Sequence, residues 1–355
     1  MTVSVFEHPY LKELLGNEAV SAFFSVEADV KAMLQFEAAL AKVEAAQGII
    51  TAKASEAISV CLGNFTPDLE QLNSAVARDG VVVPELIRQI RVKLPVEFQA
   101  SLHFGATSQD VIDTSLVLRL NKAILHLLGD FDVFLEKLAE LNTRFGDREI
   151  MGRTRMQRAL PIPVSHRIDA WRRPLERLRR QAETLIEEIN QLQFGGAVGT
   201  LDKLGAKGAD VRNALARELG LNDPGYCWHT DRTTLINLVN WLNLVAGGLG
   251  KIGQDVIQMS VNEVREVYLI GGGSSSAMPH KQNPVLAEIL VSLAHFIGVN
   301  SSAMQHVMQH ENERSGSSWT LEWMTVPQIV VSASASLKNG IRLLDQIEDI
   351  PDMAS

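Results

Sequence analysis

Residues 109–145 read QDVIDTSLVLRLNKAILHLLGDFDVFLEKLAELNTRF, a run without proline. Leu116, Leu120, Ile124, Leu127, Leu128, Phe131, Phe134, Leu135, Leu138 and Leu141 recur at three- and four-residue steps. That is the period of one helix face. Ordinary globular helices average roughly 11–12 residues, so this one is about three times as long. Residues 163–193, with a possible kink at Pro174, 228–270, 284–309 and 319–347 carry the same period. Shorter amphipathic segments precede them: residues 25–48, with Gly48 as a C-cap, a helix opened by Pro67, and residues 81–92. Period-2 alternation and a repeat of 20–50 residues are not evident. The expectation is an all-α chain. Residues 1–107 form a small N-terminal helical domain, 108–348 an elongated bundle of five long helices, and 349–355 a short tail. Helices this long and apolar bury surface between subunits as well as within one, so a homo-oligomer is expected.

The 355 residues are 46% hydrophobic, 21% charged and 6% aromatic, with a net charge of -9. Such a balance is globular, and Ala, Leu and Val must carry the core. The acidic total argues against a nucleic-acid or anionic-membrane surface. Cys61 and Cys227 make neither a disulfide framework nor a zinc site and fit a reducing cytosol. The N-terminus lacks the basic and apolar regions of a secretory signal. The apolar stretch at 235–252 is broken by Asn237, Asn240, Asn243 and glycines.

Chemistry is expected at the polar joints between the helices. In HFGATSQDVIDT (103–114), Thr107 or Ser108 caps the long helix, with Asp110 favourable near its positive end. The same hydroxyls, the first N–H groups and His103 would also make a small anion cradle. Residues 152–181 hold nine arginines. Arg172, Arg173, Arg177, Arg179 and Arg180 read as a solvated helix face. Arg153, Arg155 and Arg158 precede the helix, beside Thr154 and Gln157, and suit a carboxylate grip. GGGSSSAMPHKQNP (271–284) places glycines, serines, Lys281 and Asn283 where the helical pattern pauses. A plain interhelix loop leaves its two prolines and fixed donors unexplained; a segment that closes over a ligand explains them. Arg314 is a further carboxylate grip. His306 and His310 lie one turn apart, but HEXXH is absent and no third ligand is evident, so no metal is expected. GxxxxGK[ST] and GxSxG do not occur, and the GxGxxG spacing at 248–253 falls inside an apolar helical run, not between a strand and a helix as a dinucleotide fingerprint requires.

GATSQD (105–110), GRTRMQRALP (152–161) and GSSSAMPHKQNP (273–284), in this order, resemble the three motifs of the fumarase/aspartase superfamily. Residues 26–50, 103–114, 194–208, 227–256 and 313–328 are most similar to its carboxymuconate-cycloisomerase branch, so the likeness runs from about residue 20 to the end. The resemblance implies a central five-helix bundle assembled as a cytoplasmic homotetramer, with three subunits at each active site and no cofactor. The implied substrate is a conjugated diene with three carboxylates, from protocatechuate breakdown, which is closed to a lactone. Ser275, three residues before Met278, matches the family's proton-transferring serine. Lys281 and Asn283 would hold the carboxylate that takes up charge. Thr107, Ser108, Thr154, Arg155, Gln157 and Arg314 would grip the others, with Ser276 and Met278 lining the loop. His103 would orient a carboxylate or shuttle a proton.

Two departures stand out. The lyases carry Thr-His in the second motif, where this chain has Thr154–Arg155. This disfavours adenylosuccinate and argininosuccinate cleavage and leaves the usual histidine role unfilled. Relatives also continue past the position of Ser355 into a small C-terminal helical domain, which bears on active-site closure and product release. The competing expectations are a superfamily lyase that splits a succinyl adduct to fumarate, and a catalytically silent oligomer. A basic-helix nucleic-acid binder conflicts with the net charge.

Overall fold

The computed structural model describes residues 3–274, 277–278 and 281–353. The N-terminal part holds α1 (Lys12–Leu15), α2 (Glu18–Ser21), α3 (Val26–Ala46), α4 (Ala52–Gly63), α5 (Leu69–Asp79) and α6 (Val83–Lys93). Side-chain oxygens of Ser25, Thr51 and Asp68 accept from backbone N–H groups three residues on, which starts α3, α4 and α5. Gly80, at φ +74, ends α5 in the left-handed conformation that glycine adopts without strain.

Five long helices follow: α7 (Ser108–Phe145), α8 (Val164–Ile189), α10 (Thr233–Met259), α11 (Val285–His306) and α12 (Gly316–Gln346). The short α9 (Gly208–Leu219) lies between α8 and α10 and packs on α3. Around the bundle α7 touches α8, α8 touches α10, α10 touches α11, α11 touches α12, and α12 returns to α7. The expected all-α architecture with five long helices is what the chain adopts. Leu120, Leu127, Phe131, Phe134 and Leu138 of α7 are fully buried. Each contributes roughly 1.5–3 kcal/mol of apolar burial. Between α10 and α11 the backbones nearly touch: a Cβ on Gly253 would stand 2.5 Å from Ala287 O. By length and composition α10 and α11 could each cross a bilayer, yet both are bundle helices.

Two expectations are corrected. Residues 149–163 form a β-hairpin, β1 (Glu149–Thr154) with β2 (Gln157–Pro163). Its alternation was hidden because glycine fills one inward position: Ile150 and Gly152 are buried while their neighbours are more exposed. The helix expected over 228–270 spans only Thr233–Met259. Asp231 Oδ1 accepts the Thr233 N–H at 3.1 Å, just before the helix begins. Beyond Met259 the chain reverses, with Arg265 at φ +49 and Glu266 N–H donating to Met259 O. Tertiary pairing overrides the helical pattern there: β3 (Tyr268–Leu269) joins β6 (Ile347–Asp349). β4 (Gly273–Ser274) then pairs with β5 (Gln282–Asn283) at the root of the 271–284 loop.

Because the five helices alternate in direction, their joints gather at two ends. The head holds the start of α7, the segment from α8 to α10 and the joint between α11 and α12. The foot holds the hairpin, the 271–284 loop and β6. The 38 residues of α7 separate them by about 57 Å at 1.5 Å per residue.

Candidate active site

At the head, Asp110 organises the first turn of α7. It is fully buried and accepts four hydrogen bonds. Oδ2 takes the N–H of Thr107 at 2.9 Å and of Gly196 at 2.9 Å; Oδ1 takes Gly195 N–H at 2.8 Å and His229 Nε2 at 2.8 Å. Thr107 is therefore the N-cap residue, and Ser108 is the first helical residue. Part of the expected anion cradle is filled by the protein's own carboxylate. Burial opposes the charge on His229, but the Asp110 hydrogen bond and the Cys227 sulfur outweigh it and hold the imidazole at about 9.

One turn on, Asp113 begins a buried charge network. Arg232, wholly enclosed, donates to Asp113 Oδ2 at 2.7 Å and Oδ1 at 3.1 Å. Its other edge donates to Glu322 at 2.9 and 2.6 Å, and its guanidinium lies 5.0 Å from the Trp228 ring centroid. Trp319 Nε1 donates to Asp113 Oδ1 at 3.1 Å. Arg314 reaches this frame from the α11–α12 joint: Nε donates to Gln109 Oε1 at 3.0 Å and an NH2 group to Ala197 O at 3.1 Å. The guanidinium is exposed at the start of α7. His103, just ahead of α7, places Nδ1 2.6 Å from the buried Glu37 Oε1. The head thus brings together His103, Thr107, Ser108 and Arg314.

At the foot, Arg155 (φ +46) and Met156 (φ +67) are the two central residues of the β1–β2 turn, between Thr154 and Gln157. Positive φ at both positions is the geometry of a two-residue hairpin, usually met by Asn-Gly. The left-handed region costs other residues about 1–2 kcal/mol each. Thr154, Arg155, Gln157 and Arg158 are exposed there, with Met156 and Leu160 each 73% exposed. Arg153 instead turns inward to pair with Glu266, tying the hairpin to the strand before the loop. The glycines that open the loop serve fit: Gly271 sits at φ +68, and a Cβ on Gly273 would stand 2.5 Å from Val285 Cγ2. Lys281 is exposed and Asn283 lies on β5 opposite Gly273. Met278 O accepts the Lys281 N–H at 3.0 Å. Ser275 and Ser276 lie outside the described residues.

The predicted residues therefore form two groups, not one. Thr154, Arg155 and Gln157 share the foot with Met278, Lys281 and Asn283, and within one chain they cannot meet the head group. The sequence reading missed Asp113, His229, Arg232, Glu322 and Glu37. Glu37 and Glu44, two turns apart among the apolar residues of α3, were the legible signal. The described residues contain no cluster of three or more His, Cys, Asp or Glu able to hold a metal ion.

Comparison with known proteins gives one consistent family. Residues 12–297 match the family described as lyase. The 3-carboxy-cis,cis-muconate cycloisomerase of Pseudomonas aeruginosa is 37% identical over 92% of this chain and 72% of its own. The N-acetyl-S-(2-succino)cysteine lyase of Enterococcus italicus is 30% identical over 95% of this chain and 75% of its own. The crystal structure of the 3-carboxy-cis,cis-muconate lactonizing enzyme from Pseudomonas putida superposes with a TM-score of 0.88, at 33% identity, covering 94% of this chain and 76% of that one. With the bundle, the three motifs and these relatives agreeing, the chain belongs to the lyase family of the fumarase/aspartase superfamily, within its group of 3-carboxy-cis,cis-muconate cycloisomerases.

Proposed function

We propose that the chain closes 3-carboxy-cis,cis-muconate to a carboxymuconolactone, in the breakdown of protocatechuate in the cytoplasm. The observation that carries the reading is the 37% identity to a cycloisomerase over nearly the whole chain, together with all three motifs. One carboxylate oxygen adds to a double bond, and a proton goes to the carbon beside another carboxylate. No atom is lost, so the step is an isomerisation. Its barrier is negative charge building into a carboxylate through a carbanion-like state, which fixed cations and N–H donors lower. Ser275 transfers the proton, and Lys281 and Asn283 hold the carboxylate that takes up charge. Ser276 and Met278 line that side. Thr154, Arg155 and Gln157 on the hairpin, and His103, Thr107, Ser108 and Arg314 at the head, grip the remaining carboxylates.

The separation of head and foot supports an assembly in which the head of one copy meets the feet of others, as in a homotetramer. The most apolar window of α11 is only 33% buried, and Val299 is 74% exposed, which leaves such a face to cover. The domain division at 107/108 fits this plan, with α3 of residues 1–107 bracing the head, α1 and α2 lying along α12, and 108–348 spanning the assembly. A test mixes purified protein with 3-carboxy-cis,cis-muconate and follows loss of the diene's ultraviolet absorbance. Ser275→Ala should fold and lose turnover by orders of magnitude; near-full activity would remove Ser275 from the mechanism. Mixing that variant with Arg314→Ala under reassembly should restore part of the activity, because some sites then receive an intact head and an intact foot.

A second reading, cleavage of a succinyl adduct to fumarate, is favoured by the 30% identity to a succinocysteine lyase. Arg155 in place of the lyases' histidine weighs against it. Fumarate appearing from N-acetyl-S-(2-succino)cysteine, with no loss of the diene, would select it.

A further inference from the structure

His103 stands in the turn before α7 with a left-handed backbone, φ +61. Its ring meets α3, where Nδ1 lies 2.6 Å from Glu37 Oε1. The Glu37 side chain is 0% exposed, and its second oxygen has no hydrogen-bond partner among the described residues. A buried carboxylate needs a partner, and it can only accept, so Nδ1 carries a proton. The other ring nitrogen, Nε2, makes no hydrogen bond within the described residues and is the one left for a ligand.

We propose that Glu37 is the positioning residue of this site, holding His103 as a doubly protonated ring whose Nε2–H grips a substrate carboxylate. The proposal rests on the cycloisomerase reading and deepens it. It assigns His103 to binding: a ring that keeps both protons through turnover does not relay one, so proton transfer falls to the loop that carries Ser275 and Lys281.

The charges around the ring agree. Burial works against the imidazolium, but the charge and hydrogen bond of Glu37, with Asp110 from α7, outweigh both burial and Arg91 from α6, and hold His103 above its ordinary value. Glu44 lies two turns along α3 from Glu37. Burial, with the charge of Glu37, pushes it up to about 9, so it is neutral at pH 7 and adds no charge that would compete for His103.

The experiment is an NMR titration of histidine-labelled protein in its native assembly, with His103 assigned by its loss in His103→Ala. In the wild type both ring nitrogens of His103 should carry protons at pH 7. In Glu37→Gln its midpoint should fall by about one unit or more, a factor of ten in the protonation equilibrium. With the diene as substrate, Glu37→Gln should lose about tenfold in kcat/KM at pH 8, mostly through KM, and approach the wild type at pH 6. Adding Glu37→Gln to His103→Ala should cost nothing more. A singly protonated His103 in the wild type at pH 7, or an equal loss at every pH, overturns the proposal. The wild-type spectrum needs no variant, so it decides even where Glu37→Gln fails to fold. It also needs no substrate: a wild type that does not lactonise defeats the proposed reaction and leaves the Glu37–His103 pairing to stand or fall on the titration.

Discussion

At the head of the bundle, four hydrogen bonds converge on the Asp110 carboxylate, and Arg232 lies enclosed between Asp113 and Glu322. At the foot, Arg155 stands on a two-residue turn, and Asn283, two residues past Lys281, lies on a ladder of two residue pairs. The head is braced from within one chain, whereas the foot presents cations and apolar side chains with little of its own chain around them. Preorganised donors lower a barrier without reorganising. On the proposed reading the head supplies a fixed carboxylate seat, and the foot reaches comparable order only against another copy.

The contrast is open to attack from several sides. Arg232→Ala would leave two buried carboxylates unpaired and should cost about 3–5 kcal/mol, read by denaturant unfolding. A loss within experimental error would mean that the head is not braced by charge. Asp110→Asn turns one acceptor into a donor that faces backbone N–H groups and should cost about 2–3 kcal/mol. His229 is held at about 9 by Asp110, above its ordinary value. Its contribution is therefore complete below about pH 6.5 and is lost as pH rises through about 9. Stability of the wild type should fall across that window, and the slope should flatten in Asp110→Asn.

Glu44 acts in the same direction with pH, although there the fold favours the neutral form. Its carboxyl is held at about 9 in the folded chain against an ordinary 4.5. The unfolded chain ionises first, so the neutral acid favours folding below about 4.5 and the balance is lost as pH climbs towards 9. Glu44→Gln should thus raise stability at pH 8 by several kcal/mol, about 1.4 kcal/mol per pH unit above 4.5, with the gain vanishing near pH 4. The smallest effect belongs to the foot. Replacing Arg155-Met156 by Asn-Gly suits the turn's left-handed backbone and should stabilise by about 1 kcal/mol, while turnover of the diene drops. Unchanged turnover would remove Arg155 from the substrate's surroundings.

The sequence was most legible where local period and packing agree. The leucines of α7, and Ser25 ahead of α3, can be read directly because their partners lie within a few turns. Legibility failed where the deciding partner is distant along the chain. Residues 261–270 carry a helical pattern, but Tyr268 pairs with Asp349 and Glu266 with Arg153. Arg232 carries no local signal of its role, because Asp113 and Glu322 close around it from 119 and 90 residues away. In the candidate site the motifs gave the residue types, and the uninterrupted run at 109–145 already put about 56 Å of helix, at about 1.5 Å per residue, between the first motif and the second. Which end receives the third motif and Arg314 depends on how the five helices alternate, which no local pattern carries.

That length of α7 has a consequence for how activity scales. A lone copy carries half a site at each end, so on the proposed reading catalysis is a property of encounters between copies. Specific activity should then fall on dilution, at a concentration set by the assembly constant and independent of substrate. A cell that halves its supply of this chain near that concentration would lose more than half of the flux, which makes the reaction rate a steep function of expression.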